Sequence, residues 1–441
     1  MTQTADVQQE LYTQFERLRS GSAPQWLADL RDRGMRAFDT AGFPTRNNEE
    51  WRFTPTAPIV ETSFEPAPAD SAHEALVAAA VSSAVGSDAL RMVFVNGAWS
   101  PALSHQPDAS PELLLTTLRA GADIDAWLPT LGSLAPIESQ PFAAIDTAFL
   151  HDAAIVRFRR GPSAPPPVEL VFVSVPGARP TACWPRILIL AEAGAEGVVT
   201  ETWLTVGDGP FFTNAVTEVR CEAGSRLQHH KLMSEGRAAI HLASTQFHLA
   251  DGAVVSSHNL SVGGRLVRND IGAVLAGSRA ECTLDGICLA DGDQVVDNHT
   301  VIDHAAPDCS SHELYKSVLG GSSHGIFNGK IFVRQDAQKT DAKQTNQTLL
   351  LSETARINTK PQLEIFADDV RCTHGATVGQ LNEEAVFYLQ ARGIGRADAR
   401  RLLTWAFAAG VADRIASPDV RRRVMSALDQ HLPHGGAGEV E

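Results

Sequence analysis

The fold class is decided by residues 186–262, RILILAEAGAEGVVTETWLTVGDGPFFTNAVTEVRCEAGSRLQHHKLMSEGRAAIHLASTQFHLADGAVVSSHNLSV, in which short β-prone runs alternate with glycine turns. The turn glycines Gly194, Gly224 and Gly252 are 30 and then 28 residues apart. Self-similarity at this period, built from short strands alone, is typical of a solenoid in which each turn covers the next. The pattern therefore predicts a right-handed parallel β-helix.

The same character extends over residues 150–372, where no helical pattern of useful length interrupts the β-prone runs. A turn of small or apolar residue, acid or small residue, and glycine recurs at Ala191–Ala195, Cys221–Ser225, Leu249–Ala253 and Leu289–Asp293, with a degenerate copy at Leu275–Ser278. A β-sandwich also produces many short strands. A uniform β region of this length would need several sandwich domains, and no linkers separate them, so the β-helix is favoured.

Helical periodicity marks both ends of the chain. Near the N-terminus, Leu11, Phe15 and Leu18 recur at helix spacing. Near the C-terminus, Asn382 and Ser417 are suitable N-caps. The fold class is thus mainly β, with helical ends around a β-helix. The predicted division is an N-terminal helical region with linker (1–90), a β-helix core (91–378) and a C-terminal helical domain with a disordered tail (379–441).

Charge and hydropathy limit the possible partners. The chain has 37 Lys and Arg against 52 Asp and Glu, a net charge of -15. Such a surface repels phosphate backbones and anionic lipids, so nucleic-acid and membrane partners are not expected. No apolar run reaches the roughly 18 residues needed to cross a bilayer. The first residues are polar and acidic, unlike a secretory signal, so we expect a cytoplasmic location.

Cysteine and histidine are the residue types most relevant to metal chemistry. The six cysteines are scattered and form no C-x-x-C pair, so one chain cannot supply a closed zinc site or an all-cysteine cluster cage. Ten of the 15 histidines fall in one region: His229, His230, His241, His248, His258, His299, His304, His312, His324 and His374. No H-E-x-x-H motif occurs, and most of these histidines are expected to be structural.

The exception is the sequence Cys372-Thr373-His374. Residues i and i+2 of a strand point to the same face, so a thiol and an imidazole would lie side by side. This pair suits iron, zinc or copper. Two ligands cannot complete a tetrahedral site, so the remaining ligands would have to come from elsewhere, such as a second chain. The alternative is a buried cysteine beside a histidine with a purely structural role.

Carboxylates offer a different function, because some β-helices cleave polysaccharides with surface acids. The candidate acids are Asp368 with Asp369, Asp291 with Asp293, and Asp303 with Asp308. Asp368 and Asp369 would face opposite ways in a strand, which favours a turn. No phosphate-cradling GxxxxGK[ST] loop is present, so a partner would have to meet any requirement for ATP.

Three segments resemble the SufB/SufD family of SUF-system iron–sulfur cluster assembly proteins. They are PTRNNEEWRFT (44–54), GIFNGKIFVRQDAQKTDAKQTNQTLLLS (325–352) and LLLSETARINTKPQLEIFADDVRCTHGATVGQLNEEAVFYLQARGI (349–394). SufB-type chains carry a cysteine shortly after the LLL run and a glutamate directly after the motif histidine. Here Ala355 and Gly375 occupy those places. The resemblance is therefore to the SufD branch of the family.

The resemblance implies a non-catalytic scaffold that pairs with SufB through its β-helix core. It implies that the C-terminal helices, about 383–431, recruit the ATPase SufC. In the family, nascent clusters are assembled at the SufB–SufD interface, and the ligand role carries over to His374, with Cys372 as a less certain neighbour. Iron or an iron–sulfur cluster would be held transiently and shared with SufB, without a permanent cofactor in the isolated chain.

Several alternatives stay open at this point. A solenoid edge that pairs with a sister chain can also pair with a second copy of itself, so homodimers could form without SufB. The chain could instead be a self-contained polysaccharide hydrolase, or a purely structural adaptor of an ABC-type ATPase.

Overall fold

The computed structural model describes residues 2–68, 73–86, 89–106, 110–121 and 124–432. The helices are α1 (Thr2–Arg19), α2 (Gln25–Ala41), α3 (Ala57–Val60), α4 (Glu74–Ala84), α5 (Ile124–Trp127), α6 (Pro141–Ala148), α7 (Glu383–Gln390), α8 (Arg396–Ala412) and α9 (Pro418–His431), with one 3₁₀ turn at Glu49–Trp51. The tail for which disorder was predicted (434–441) lies outside the described residues.

The early strands are β1 (Glu65–Pro66), β2 (Arg91–Val95), β3 (Ala98–Trp99), β4 (Leu113–Thr117), β5 (Ala153–Phe158), β6 (Val168–Ser174), β7 (Thr181–Cys183) and β8 (Arg186–Ala191). The regular coils are built from β9 (Glu196–Thr205), β10 (Phe211–Cys221), β11 (Arg226–Glu235), β12 (Ala239–Leu249), β13 (Val254–Gly263), β14 (Leu266–Leu275), β15 (Glu281–Ala290), β16 (Val295–His304), β17 (Ser310–Leu319), β18 (His324–Val333), β19 (Asp341–Leu350), β20 (Arg356–Ile365) and β21 (Arg371–Gly379).

Successive strands alternate between two parallel sheets. The even-numbered strands β8–β20 form one sheet, here called the even sheet, and the odd-numbered strands β9–β21 form the other, the odd sheet. Each strand therefore lies on the strand two positions earlier in the chain, as His229 pairs with Ser257 and Ser257 with Leu284. Parallel neighbours separated by a full coil are the defining feature of a β-solenoid. The predicted parallel β-helix is confirmed.

The glycine period arises at one corner of the coil. The residue two positions before each odd-numbered strand has a left-handed φ in six successive coils: Gly194 (68°), Gly224 (67°), Gly252 (63°), Arg279 (56°), Asp308 (60°) and Lys339 (61°). Glycine adopts this conformation without steric cost. The turn at Leu289–Asp293 is different, because it joins β15 to β16 at the other corner. Its assignment to the same repeat was wrong, since both corners use small residues and glycine.

The helical ends pack on opposite outer faces of the solenoid. Around the even sheet, residues from α1, α2 and α6 form one apolar cluster, including Phe15, Phe38, Phe142 and Phe212. Helices α8 and α9 cover the odd sheet through a second cluster, which includes Ile287 and Val424 among its buried members. Burial of such side chains contributes about 1.5–3 kcal/mol each. The helices thus stabilise the flanks of the coil.

Within the described residues, none of the helices combines the length and apolar character required to cross a bilayer. The division of the chain at residues 90 and 378 stays a prediction. Strand β2, which extends the odd sheet by way of β6, begins at Arg91. The last strand of that sheet, β21, ends at Gly379.

Candidate functional site

The last coil of the solenoid forms an open end. Strands β20 and β21 terminate the even and odd sheets, and in the ranges that the structure describes no further strand pairs with their outer edges. The residues of β20 are mostly half-buried and those of β21 mostly exposed. Unpaired N–H and C=O groups along such edges are templates for another chain.

Cys372 and His374 lie on β21 at this open end. In the ladder, Cys372 pairs with Ala342 and His374 pairs with Gln344, and both of these β19 residues are buried. Since side chains in register on parallel strands share a face, Cys372 and His374 lie on the side that faces the interior of the coil. The structure therefore brings the thiol and the imidazole to one face.

The two side chains have different surroundings. Cys372 is half-buried and packs against a small apolar cluster that includes Ile331 and Ala342. This burial raises the pKa of its thiol, so the sulfur holds its proton at neutral pH. His374 is exposed.

Two donors do not complete a coordination sphere. Among the described residues, no group of three or more His, Cys, Asp and Glu is arranged to hold a metal ion. A thiolate and an imidazole are suitable ligands for iron, but a tetrahedral site needs four. The pair fits one side of a shared site, and its metal role stays a prediction.

The other nine histidines of the region occupy structural positions. Seven are buried and two half-buried: His229, His230, His241, His258, His299, His304 and His324, and then His248 and His312. His229, for example, lies 3.0 Å from both Ser257 Oγ and Glu201 Oε1. Burial lowers the pKa of His258 and His304 to about 4, so both rings are neutral. His374 is thus the exposed member of the ten, all of which lie in described ranges.

Glu313 and Gln344 are two buried polar side chains near the open end that the sequence did not single out. Both are buried inside the coil beneath His374, and Gln344 Nε2 donates to Glu313 Oε2 at 2.6 Å. A signal was present, because Gln344 lies in the 325–352 stretch that resembles the family. The spacing of residues within this stretch does not by itself show which side chains lie above one another in the coil.

The N-terminal motif forms a strap across the even sheet, defined here as residues 49–54. Trp51 covers the guanidinium of Arg268, which donates to Asp297 Oδ2 at 2.8 Å. His299 contacts Asp297 and Glu50. A cavity of about 370 Å³ lies beside the strap. The charges in this cluster are paired with one another and hold the strap on the even sheet.

The carboxylates considered for polysaccharide cleavage are dispersed. Asp303 is ion-paired with Arg334 at 2.6 Å, and Asp308 occupies a left-handed corner. Asp368 and Asp369 lie in the bend between β20 and β21, in agreement with the predicted turn. Asp291 and Asp293 flank Gly292 at the other corner. The arrangement therefore distributes these acids over several corners and strand ends.

The C-terminal helices present an apolar surface of their own. Phe387, Tyr388 and Leu402 are 71%, 56% and 49% exposed. Trp405 instead packs at the margin of the cluster beneath α8. These three side chains lie on the neighbouring helices α7 and α8, and exposed apolar side chains of this size are candidate contacts for a partner. This group is called the helical patch below.

Comparisons with known proteins point to one family. Residues 173–407 match the profile described as "SUF system FeS cluster assembly, SufBD core domain", and residues 2–169 match "SufBD protein N-terminal region". The iron–sulfur cluster assembly protein SufD of Escherichia coli (strain K12) is 32% identical, with 89% of this chain and 90% of the relative covered. An iron–sulfur cluster assembly SufBD family protein of Synechocystis is 28% identical over 93% and 92%. Protein ABCI7, chloroplastic, of Arabidopsis thaliana is 27% identical over 91% and 85%.

Proposed function

The chain belongs to the SufBD family of SUF-system iron–sulfur cluster assembly proteins, and we propose that it is a non-catalytic scaffold subunit of a SufB–SufC–SufD complex. In this proposal His374 is a ligand at the interface with SufB and helps to acquire iron. One observation supports it above all: of ten clustered histidines, the exposed one lies on the open terminal coil. A ligand that is shared with a second chain must be accessible to that chain, and the open end provides this access.

The open end also has the properties of a protein interface. Alongside the unpaired edges of β20 and β21, the large side chains of Ile365, Phe366 and Val378 are exposed. Exposed strand edges and apolar side chains both favour association. We propose that SufB pairs here, and that in its absence a second copy of this chain can do so.

The chemistry at this interface is transient coordination of iron as cargo. The imidazole of His374 offers a nitrogen ligand, and the Cys372 thiol becomes a thiolate ligand when it loses its proton. SufB would supply the remaining ligands. SufB-type chains have a glutamate where this chain has Gly375. A Cβ at Gly375 would meet no atom within 4 Å, so the glycine is not required for space.

SufC would be recruited by the helical patch. The C-terminal helices are firmly attached to the solenoid, because Lys316 Nζ donates to the Phe407 carbonyl at 2.8 Å and Arg414 Nε to Asp285 Oδ2 at 2.6 Å. Movement of the helices when SufC dimerises on ATP would therefore be transmitted to the odd sheet and to the paired edge. The six free thiols suit the reducing cytoplasm, where we place this complex.

The decisive experiment replaces His374 by alanine in cells that depend on the SUF system. We expect His374→Ala to preserve co-purification with SufB and SufC but to abolish cluster maturation, measured as the activity of an iron–sulfur enzyme. Thr373→Ala is the matched control, because Thr373 is exposed on the opposite face of the same strand. Normal maturation in the His374→Ala strain would contradict the ligand role and favour a purely structural adaptor.

A further inference from the structure

Gln344 lies directly beneath His374 in the ladder and is 1% exposed. Its side-chain amide is turned so that Nε2 donates to Glu313 Oε2 at 2.6 Å. The other end of the amide, Oε1, is buried and meets no hydrogen-bond donor among the described residues. A buried polar atom without a partner destabilises the folded chain. Such an oxygen requires a donor.

Glu313 determines the orientation of this amide. It lies one strand further into the coil, in register with Gln344, and is also buried. Because a carboxyl oxygen accepts from the NH₂ group, the carbonyl of Gln344 is directed away from Glu313. Burial raises the pKa of Glu313 to about 7. The carboxyl therefore keeps hydrogen-bonding capacity without a fixed full charge in the interior.

Gly329, on the facing strand β18, provides the space for this arrangement. A Cβ at this position would overlap Nε2 of Gln344 and would also press on Phe327. The glycine does not have a left-handed φ, so it is required for space rather than for backbone conformation. The motifs GIFNGK and KQTNQ therefore combine in three dimensions to hold one amide inside the coil.

We propose that Gln344 is a positioning residue for His374: when the exposed ring of His374 turns toward the coil, one ring N–H donates to the unpartnered Oε1 of Gln344, and the other ring nitrogen is presented to the metal. This inference rests on the proposed function of His374. A histidine ligand generally donates its second ring N–H to an acceptor behind it, which determines the tautomer and the ring orientation. Loss of such an acceptor typically lowers metal affinity by about 10–100-fold.

The test compares two replacements of Gln344 that differ in hydrogen bonding. Gln344→Met keeps the length and packing of the side chain but removes the acceptor, whereas Gln344→Glu keeps an acceptor oxygen. The measurement is the affinity for Fe²⁺, by anaerobic titration of the complex co-purified with SufB and SufC. We expect about 10–100-fold weaker binding for Gln344→Met and near wild-type binding for Gln344→Glu.

A merely structural role predicts the opposite order, because methionine suits a buried site better than a second carboxyl group beside Glu313. Gln347→Met is the control, since Gln347 lies on the other face of the same strand. Gly329→Ala is a second variant that displaces the amide without removing it, and we expect it to weaken Fe²⁺ binding too. Thermal unfolding of each complex identifies any general loss of stability.

His374→Ala in the same titration separates this inference from the proposed function. If His374→Ala binds Fe²⁺ as tightly as the wild type, the ligand role fails and the positioning role falls with it. If His374→Ala loses binding but Gln344→Met and Gly329→Ala retain wild-type affinity, only the positioning role is overturned.

Discussion

The guanidinium carbon of Arg268 lies 4.0 Å from the centroid of the Trp51 ring, which joins the N-terminal strap to the even sheet. Both side chains are buried, and Arg268 also donates to Asp270 Oδ1 at 2.7 Å and to the Glu50 carbonyl at 2.7 Å. A cation over an aromatic face is stabilised further when both are withdrawn from water. These buried contacts therefore hold the strap against the coil.

Removal of the Trp51 indole should weaken the attachment of the strap to the coil. We expect Trp51→Ala to lower the free energy of unfolding by about 3–5 kcal/mol, because a large buried ring and its contact with Arg268 are lost together. Denaturant-induced unfolding of the purified chain measures the effect. Phe53→Ala is the control, since Phe53 is exposed and its loss should change stability by less than about 0.5 kcal/mol. Equal effects of the two substitutions would show that the contact between Trp51 and Arg268 does not hold the strap in place.

The strap should also make stability depend on pH. Burial alone would lower the pKa of His299, but the charge of Asp297 and the hydrogen bonds to Asp297 and Glu50 outweigh it and raise the pKa to about 9. A raised pKa means that the folded state holds the proton more tightly than the unfolded state. The contribution is therefore full below pH 6.5 and is lost as the pH rises through about 9.

Urea unfolding at pH 6.5 and pH 9.5 measures this loss, which we expect to be on the order of a few kcal/mol. His299→Gln should flatten the dependence in this window. His312→Gln, the same change at a half-buried histidine, is the control and should leave the slope unchanged. A wild-type slope in His299→Gln would show that other groups cause it.

Charges on the open end should prevent pairing with SufB. Phe366 and Val378 are exposed beside the free edges of β20 and β21. We expect the double substitution Phe366→Asp and Val378→Asp to weaken SufB co-purification at least 10-fold, because each buried carboxylate would lose its hydration in the interface. Binding of SufC should persist, since the helical patch lies elsewhere on the chain. Simultaneous loss of both partners would indicate misfolding rather than a specific interface.

Recruitment of SufC should depend on the helical patch. Phe387→Ser together with Leu402→Ser removes two exposed apolar side chains without opening a cavity, so the chain should fold normally and retain SufB. We expect SufC co-purification to fall by more than 10-fold. Removing all three C-terminal helices would be less informative, because it would uncover the apolar outer face of the odd sheet, including Leu260 and Ile287. Retention of SufC by the double variant would place its site elsewhere.

Iron binding at the open end should strengthen as the pH rises. The pKa of the Cys372 thiol is raised by burial, so the proton must leave before the sulfur can coordinate. We expect the Fe²⁺ affinity of the SufB-containing complex to increase between pH 6 and pH 8.5, and Cys372→Ala to reduce that increase. Cys309→Ala, at a buried corner cysteine, is the control. An unchanged pH profile in Cys372→Ala would exclude the thiol as a ligand.

The N-caps predicted from the sequence for two of the C-terminal helices, Asn382 and Ser417, are confirmed. The Asn382 side chain accepts from the backbone N–H of Glu384 and Ala385, and Ser417 accepts from that of Val420. These caps depend on residues three or fewer positions away, so they are readable from sequence alone. Which side of α7 packs against the protein was harder to predict from the sequence. Val386 is the buried residue of this helix, whereas Tyr388 is exposed. A short helix has no periodicity long enough to determine which side meets a neighbour.

The sequence by itself determined the solenoid, its period and the pairing of Cys372 with His374 on one face, because backbone turns and strand alternation are local properties. Only the tertiary structure decided that His374 is exposed while its nine neighbours in the histidine-rich region are covered. It also decided that Gln344 and Glu313 stand beneath His374. Those relationships join residues about 30 positions apart, and they depend on strand register and on which coil is the last in the stack.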